Sequence, residues 1–298
     1  MNKITSLTVI IATYNRKLLL RKLLLQVYKN KPNNIPLDFK VIVVIDGSID
    51  GTAEMILSEF PNVDIINYIE GNLWWTKSMN LGFKKAVEEQ SDYVLILNDD
   101  VEIPPDYFIN LLEAYQKLPK NSILGSISIS INKPHYIESA GSITFNKWNL
   151  KRKPYINGFI PLSNNFSGCF ETWGLSGRGT LIPAEVFKKI GFYDEKLIQY
   201  GSDDEFVIRA RLNNIPVYIS RDCRILNRTE YTSVGAAFND DGLRMLIKSF
   251  FNKYSVNSIY KSFYLYKKYG ATFFLAPLYV LITILGTIKS YYLNYKKK

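Results

Sequence analysis

Apolar residues in the first third of the chain fall into short continuous runs separated by amphipathic stretches. Residues 7–12 (LTVIIA), 39–45 (FKVIVVI) and 93–97 (YVLIL) are apolar runs of strand length, the first two read as buried strands, and residues 63–68 read as a further strand. Between them, residues 17–28 set Leu18, Leu19, Leu20, Leu23, Leu24 and Leu25 on a broad face opposite Arg21 and Lys22. Residues 52–60, 77–89 and 107–117 also read as helices. Strands alternating with helices at this spacing predict parallel βαβ units in an open twisted α/β sheet with right-handed crossovers. Ligands then gather beyond the carboxyl ends of the strands, where residues 13–16, 46–48 and 98–100 fall.

The pattern weakens over residues 121–173 into short strands and loops rich in Ser, Asn and Gly, read as the acceptor side. It returns at residues 183–190, a short helix opened by proline, and at residues 203–212 (DDEFVIRARL), a helix with acidic residues in its first turn. There is no internal repeat.

With 298 residues, 47% of them hydrophobic, the chain is long enough for a full core, which excludes a disordered protein. Its two cysteines, Cys169 and Cys223, lack the spacing of a thiolate metal site and do not form a disulfide framework, so a reducing compartment is expected. The first strand begins at Leu7, which leaves no room for a secretory signal, and a cytoplasmic location follows as the expectation.

The net charge of +10 is unevenly spread. From Ala236 onward ten Lys/Arg face Asp240 and Asp241, a surplus of eight, so the body is nearly neutral and nucleic acid is not the expected partner. This tail also holds an uncharged run, residues 270–288, framed by Lys267, Lys268, Lys289 and a terminal lysine triplet, with Tyr264, Tyr266, Tyr269, Tyr291, Tyr292 and Tyr295 at its flanks. An apolar centre with aromatic and basic flanks describes a membrane surface. Pro277 interrupts the run and both flanks are basic, so an interfacial or partly embedded anchor is expected, with a core helix of the main domain as the alternative. The expected division is a catalytic domain over residues 1–235 and a helical membrane-associating tail over 236–298.

Three acidic clusters carry candidate chemistry. Asn98-Asp99-Asp100 follows a buried strand, and two adjacent carboxylates there make a hard-oxygen site suited to Mg²⁺ or Mn²⁺ with substrate phosphates as further ligands; a plain polar turn has the same composition. Residues 46–52 (DGSIDGT) offer Asp46 as an acceptor for a nucleotide base N–H, while Ser48 or Asp50 equally suits a helix cap. Asp203, with Asp204 beside it, can deprotonate an acceptor hydroxyl, although acidic residues in a first helical turn are favoured by the helix dipole in any case.

ATYNR, IDGSIDGT, LNDDVEI and YGSDDEFVIRAR, in this order over residues 7–230, resemble the family-2 inverting glycosyltransferases of the GT-A fold. The resemblance implies transfer of a sugar from a nucleotide-diphosphate donor to a saccharide or lipid-linked acceptor. It implies Thr13, Asn15 and Asp46 against the nucleotide, Asp100 and Asp99 on the metal, and Asp203 as the base. It also implies Asn80 and Lys77 near the ribose and diphosphate, and Gly177 and Arg178 beneath the donor sugar. Trp75 and Trp173 are candidates for stacking on a base or sugar ring. The chain departs from the pattern at Ser202, where an acid is common, and at Asn227, where a metal-binding histidine is common: Asn227 then supplies an oxygen or that ligand is missing. The alternatives are a nucleotidyltransferase, whose basic glycine-rich loop is absent from ATYNRK, and a silent scaffold of the same fold.

Overall fold

The computed structural model describes residues 4–33, 35–163, 166–228 and 242–295. Strands β1 (Ser6–Thr13), β2 (Asp38–Asp46), β3 (Val63–Tyr68) and β4 (Tyr93–Asn98) lie parallel in the order β3-β2-β1-β4. Because side chains alternate along each strand, Val9 and Ile11 align with Val41, Val43, Leu95 and Leu97 on one face, and Ile10 aligns with Ile42 and Ile96 on the other. The first face is buried under α1 (Lys17–Asn30), α2 (Thr52–Glu59) and α4 (Tyr107–Gln116), the second under α3 (Trp74–Glu88). Gly82 lets α3 approach closely, since a Cβ there would lie 2.5 Å from Ile10 Cγ2.

Beyond β4 the sheet turns mostly antiparallel through β12 (Thr180–Pro183), β6 (Ile123–Ser130), β7 (Lys133–Ser139) and β10 (Ile160–Pro161). Residues 121–173, read from sequence as short strands and loops, thus contain β6, an eight-residue strand buried at every position. They also hold the two-stranded sheet of β8 (Ser142–Phe145) and β9 (Arg152–Pro154), and β11 (Cys169–Glu171). Strand β13 (Val217–Asn227) runs parallel to β6, and its last residues pair with β5 (Val101–Glu102), directly after the Asp99-Asp100 turn. Helix α5 (Ala184–Ile190) follows β12, and α6 (Ser202–Leu212) follows α5. The mixed, mostly parallel sheet between helices is the GT-A architecture expected from the sequence.

Residues 242–295 form three helices, α7 (Gly242–Phe251), α8 (Ile259–Tyr269) and α9 (Ala276–Tyr295). The division at residues 235 and 236, Asp240, Asp241 and the terminal lysine triplet lie outside the described residues. Pro277 sits in the first turn of α9, where its missing N–H costs no helical bond, so it starts the helix rather than interrupting it. The stretch Phe273–Leu293 is long and apolar enough to cross a membrane, with mean hydropathy 1.7, and only 6% of it is buried, unlike a core helix.

Candidate functional site

The loops after β1 and β4 meet through hydrogen bonds. Thr13 Oγ1 donates to Asp99 Oδ2 at 2.8 Å, and Arg16 Nη1 donates to Asp99 Oδ1 at 2.8 Å and Asp100 Oδ2 at 3.1 Å. Both carboxylates are buried, at 5% and 4% exposure. Burial pushes the Asp99 carboxyl up to about 6, with the Asp100 charge adding and Arg16 and Thr13 opposing. Asp100 Oδ1 is buried without a hydrogen-bond partner. An anionic oxygen in that condition is costly unless a cation sits beside it, so this donor set fits a hard divalent metal. Asn227, opposite Val101 on β13, gives its Nδ2 to Glu138 Oε2 at 3.1 Å and likewise leaves a buried Oδ1 without a partner. No group of three or more His, Cys, Asp or Glu that could hold a metal occurs among the described residues, so oxygens of other kinds, from water, amides or substrate, would complete any coordination.

The loop after β2 is tied down from three sides. Asn15, in the left-handed region at φ 49°, donates its backbone N–H to Ser48 Oγ and accepts from the Ile49 N–H, both at 2.9 Å. Asp50 accepts the Lys17 N–H at 2.9 Å and the Thr52 N–H at 3.2 Å, capping the starts of α1 and α2 together. Asp46 accepts the N–H groups of Leu73 and Trp74 at 2.8 and 2.9 Å, one on each oxygen, and so anchors the start of α3. Trp74 is held left-handed at φ 60°, its ring stacked on Tyr254 at 4.1 Å between centroids. Asn15 and Asp46 therefore shape the rim of the cleft through bonds of their own.

The start of α3 leads on to the third cluster. The Trp75 N–H donates to Gln199 Oε1 at 3.1 Å, and the Trp75 ring lies over Gly177, where a Cβ would come within 2.4 Å of Cζ2. The Gly177 N–H donates to Asp203 Oδ2 at 3.2 Å, and the Asp204 N–H donates to Asp203 Oδ1 at 3.0 Å. Burial, with the Asp204 charge adding, pushes the half-buried Asp203 carboxyl up to about 6 against these two amides and Arg152. Arg152 forks onto Asp204, its Nη2 to Oδ2 at 2.7 Å and its Nη1 to Oδ1. Burial raises the Tyr200 phenol, while the charges of Arg16 and half-buried Arg178 oppose it.

Two of the expected residues, Asn80 and Trp173, have other partners. Asn80 is buried and clamps Tyr193, whose O accepts at 2.9 Å and whose N–H donates at 3.0 Å, with Glu195 at 3.1 Å, so its side chain holds the loop after α5. The Trp173 ring packs against Phe145 at 5.6 Å and beneath Arg211 at 5.0 Å. Arg211 is eight residues beyond Asp203 on α6, about 12 Å along its axis, so Trp173 meets the far end of that helix. Lys77 is exposed on α3.

Two features escaped the sequence reading. Arg16, the last residue of ATYNR, bridges both buried carboxylates. Glu205, with no exposure at all, binds Arg209 Nε at 3.0 Å on its own helix and, from α8, Lys268 Nζ at 2.9 Å and the Tyr269 hydroxyl. Lys268 also donates to Asp194 at 2.7 Å. Lysine spacing on α8 gives no hint of a partner so distant in sequence.

The sequence profile described as "Glycosyl transferase family 2" matches residues 8–191, well over half of the chain. The chain belongs to glycosyl transferase family 2. Among curated relatives it is 24% identical over 187 residues to the dTDP-rhamnosyl transferase RfbF of Shigella flexneri, covering 62% of this chain and 59% of that one. It is 29% identical over 161 residues to a poly-beta-1,6-N-acetyl-D-glucosamine synthase of Staphylococcus epidermidis, covering 53% of this chain and 36% of that one. The chain thus spans well under two thirds of either relative. Among solved structures the fold matches GalNAc-T7 with UDP, GalNAc and Mn²⁺ (TM-score 0.59, 15% identity, 76% of this chain, 43% of that one). It also matches S. aureus TarS 1-349 (TM-score 0.53, 18% identity, 83% of this chain, 66% of that one). At these identities the two structures bear on the family-2 chain's fold alone.

Proposed function

We propose that this family-2 protein transfers a sugar from a nucleoside-diphosphate donor to a hydroxyl of a saccharide or lipid-linked acceptor at a membrane surface, in one inverting displacement. The observation that carries the reading is Asp203, a half-buried carboxylate fixed by two backbone N–H groups, one of them from the Gly177 turn beneath Trp75, and raised to about 6. A base with such a value is ionised at neutral pH yet basic enough to take a hydroxyl proton as the acceptor attacks.

Asp100, with Asp99, would hold Mg²⁺ or Mn²⁺ through the buried Oδ1 that lacks a partner, and Asn227 Oδ1 is a further oxygen within this region. A bound divalent ion supplies neutralisation of the charge that builds on the diphosphate leaving group. GalNAc-T7 was solved with UDP and Mn²⁺, which supports the same pairing here. Arg16 bridges the two carboxylates at 2.8 and 3.1 Å, and half-buried Arg178 is a second cation whose charge acts on Tyr200 as that of Arg16 does. Thr13, Asn15 and Asp46 form the nucleotide wall, the last two by holding its loops. Lys77, on the first turn of a helix whose N-terminus favours anions, is assigned to the diphosphate side. Trp75 and Gly177 floor the donor sugar, and Arg152 orients Asp204 beside the acceptor.

A donor panel tests this. Purified protein is given dTDP- and UDP-sugars with Mg²⁺ or Mn²⁺, with and without membrane extract, and nucleoside diphosphate release is measured. One donor releasing nucleotide only when extract is present is the expected result, and no release from any donor would end the reading.

A further inference from the structure

Helix α9 has two unlike faces. Tyr279 stacks on Tyr266 of α8 with centroids 4.6 Å apart, and Ile284, Ile288 and Tyr291 pack with Leu246 and Phe250 of α7. One side of α9 is therefore held against other helices from its first turn to its last. The opposite side exposes Leu278, Leu281, Ile282, Leu285 and Leu293. Helix α7 divides in the same way: Leu246 and Phe250 are buried, while Met245, Ile247 and Phe251 are 46%, 47% and 64% exposed. Between the helices, Phe273 and Phe274 stand out at 55% and 76% exposure.

This packing bears on how the apolar stretch meets a bilayer. Were α9 to cross, α7 and α8 would have to enter hydrocarbon with it, taking Lys248, Lys261, Lys267 and Lys268 along, or else the seam of Leu246, Phe250 and Tyr291 would have to open. Buried charge is costly in hydrocarbon, and nothing there would replace the ion pairs of Lys268 with Asp194 and Glu205. The charge of the segment identifies the occupant. Residues 242–295 hold seven Lys/Arg and no Asp or Glu, and Arg244, Lys248, Lys253, Lys267 and Lys289 are exposed.

We propose that α7, Phe273, Phe274 and α9 form one docking surface that lies in the plane of an anionic lipid bilayer, apolar side chains at the acyl boundary and basic ones among the headgroups, with no helix crossing. The choice of an anionic bilayer as occupant rests on this charge and the in-plane geometry on the packing; only the link from docking to the acceptor rests on the function proposed above. Because Lys268 ties α8 to Glu205, two residues from Asp203, docking also sets the height of the base above the lipid.

The test uses the full chain and co-sedimentation with phosphatidylcholine vesicles, with and without phosphatidylglycerol. Binding that requires phosphatidylglycerol, weakens with salt and is released by alkaline carbonate is the expected result. Phe251→Glu, outside the stretch long enough to span, should weaken vesicle affinity by about tenfold or more, since it removes one buried aromatic side chain and adds a like charge to the lipid. Ile247→Asn is the second variant should the first fail to fold. Carbonate-resistant binding untouched by either variant would show a spanning helix and overturn the proposal. A dimer in solution that ignores vesicles would overturn it too, by making a second copy the occupant. Nucleotide binding is read on the same samples: vesicle binding without it would sink the transferase reading and leave the docking surface standing.

Discussion

The backbone N–H of Gly177 donates to Asp203 Oδ2 at 3.2 Å, from a glycine whose missing side chain makes room for the Trp75 ring. The proposed donor floor and the proposed base are thereby one contact apart. Gly177→Ala would put a methyl 2.4 Å from Trp75 Cζ2. Overpacking of this kind costs about 1–3 kcal/mol, and the displaced amide should loosen Asp203. Urea unfolding should record the loss of stability, and turnover should fall further than nucleotide binding does.

Asp203→Asn removes the proposed base while keeping the shape of the side chain. Turnover is expected to drop about a hundredfold to ten-thousandfold with nucleotide affinity unchanged. Calorimetric titration with nucleotide beside a release assay separates the two quantities, and normal turnover would exclude Asp203 from the role.

The raised Asp203 carboxyl also fixes a pH dependence. The rate should climb as pH rises through about 6, where the carboxyl ionises. Stability runs the other way. A carboxyl near 6 in the folded chain and near its ordinary value of about 4 when unfolded holds more protons in the folded state between those values. Its contribution is present below the unfolded value and lost as pH rises through about 6. Asp203→Asn should therefore lose less stability than the parent between those two pH values, measured by thermal unfolding, and a slope identical to the parent's would contradict the assignment.

Asp100→Ala tests the metal. The variant deletes the buried oxygen without a partner, so nucleotide binding should weaken and should no longer respond to Mg²⁺ or Mn²⁺. Undiminished metal dependence in a titration with chelator would move the site away from Asp100.

Glu205→Ala leaves Arg209 and Lys268 without their shared buried carboxylate. Breaking a buried ion pair from one side costs about 3–5 kcal/mol, so a large fall in the urea midpoint is expected. Glu205→Gln, which keeps the shape and part of the hydrogen bonding, should recover some of it.

Much of the parallel sheet was readable in advance, because β1, β2 and β4 are largely buried and carry apolar runs close to their observed ends, while edge strand β3, VDIINY, is only partly buried yet follows the same alternation with helices. The acidic turn after β4 was readable for the same reason. Strand β6 was obscured by Ser126, Ser128 and Ser130, which interrupt its apolar pattern although all three are buried. Asn80 and Asp46 looked like ligand contacts, yet their polar atoms bond to Tyr193 and to the start of α3, partners that no local pattern announces. The partner of the Trp173 ring, Arg211 near the far end of α6, is likewise set by a contact that no local pattern announces.

Tyr254 on Trp74 and Lys268 on Glu205 mean that residues 242–295 brace both walls of the cleft. Trimming the chain after Arg228 to gain solubility would remove both props at once. A shortened protein that no longer turns over would then report a slackened cleft, and its inactivity would say nothing about a need for lipid.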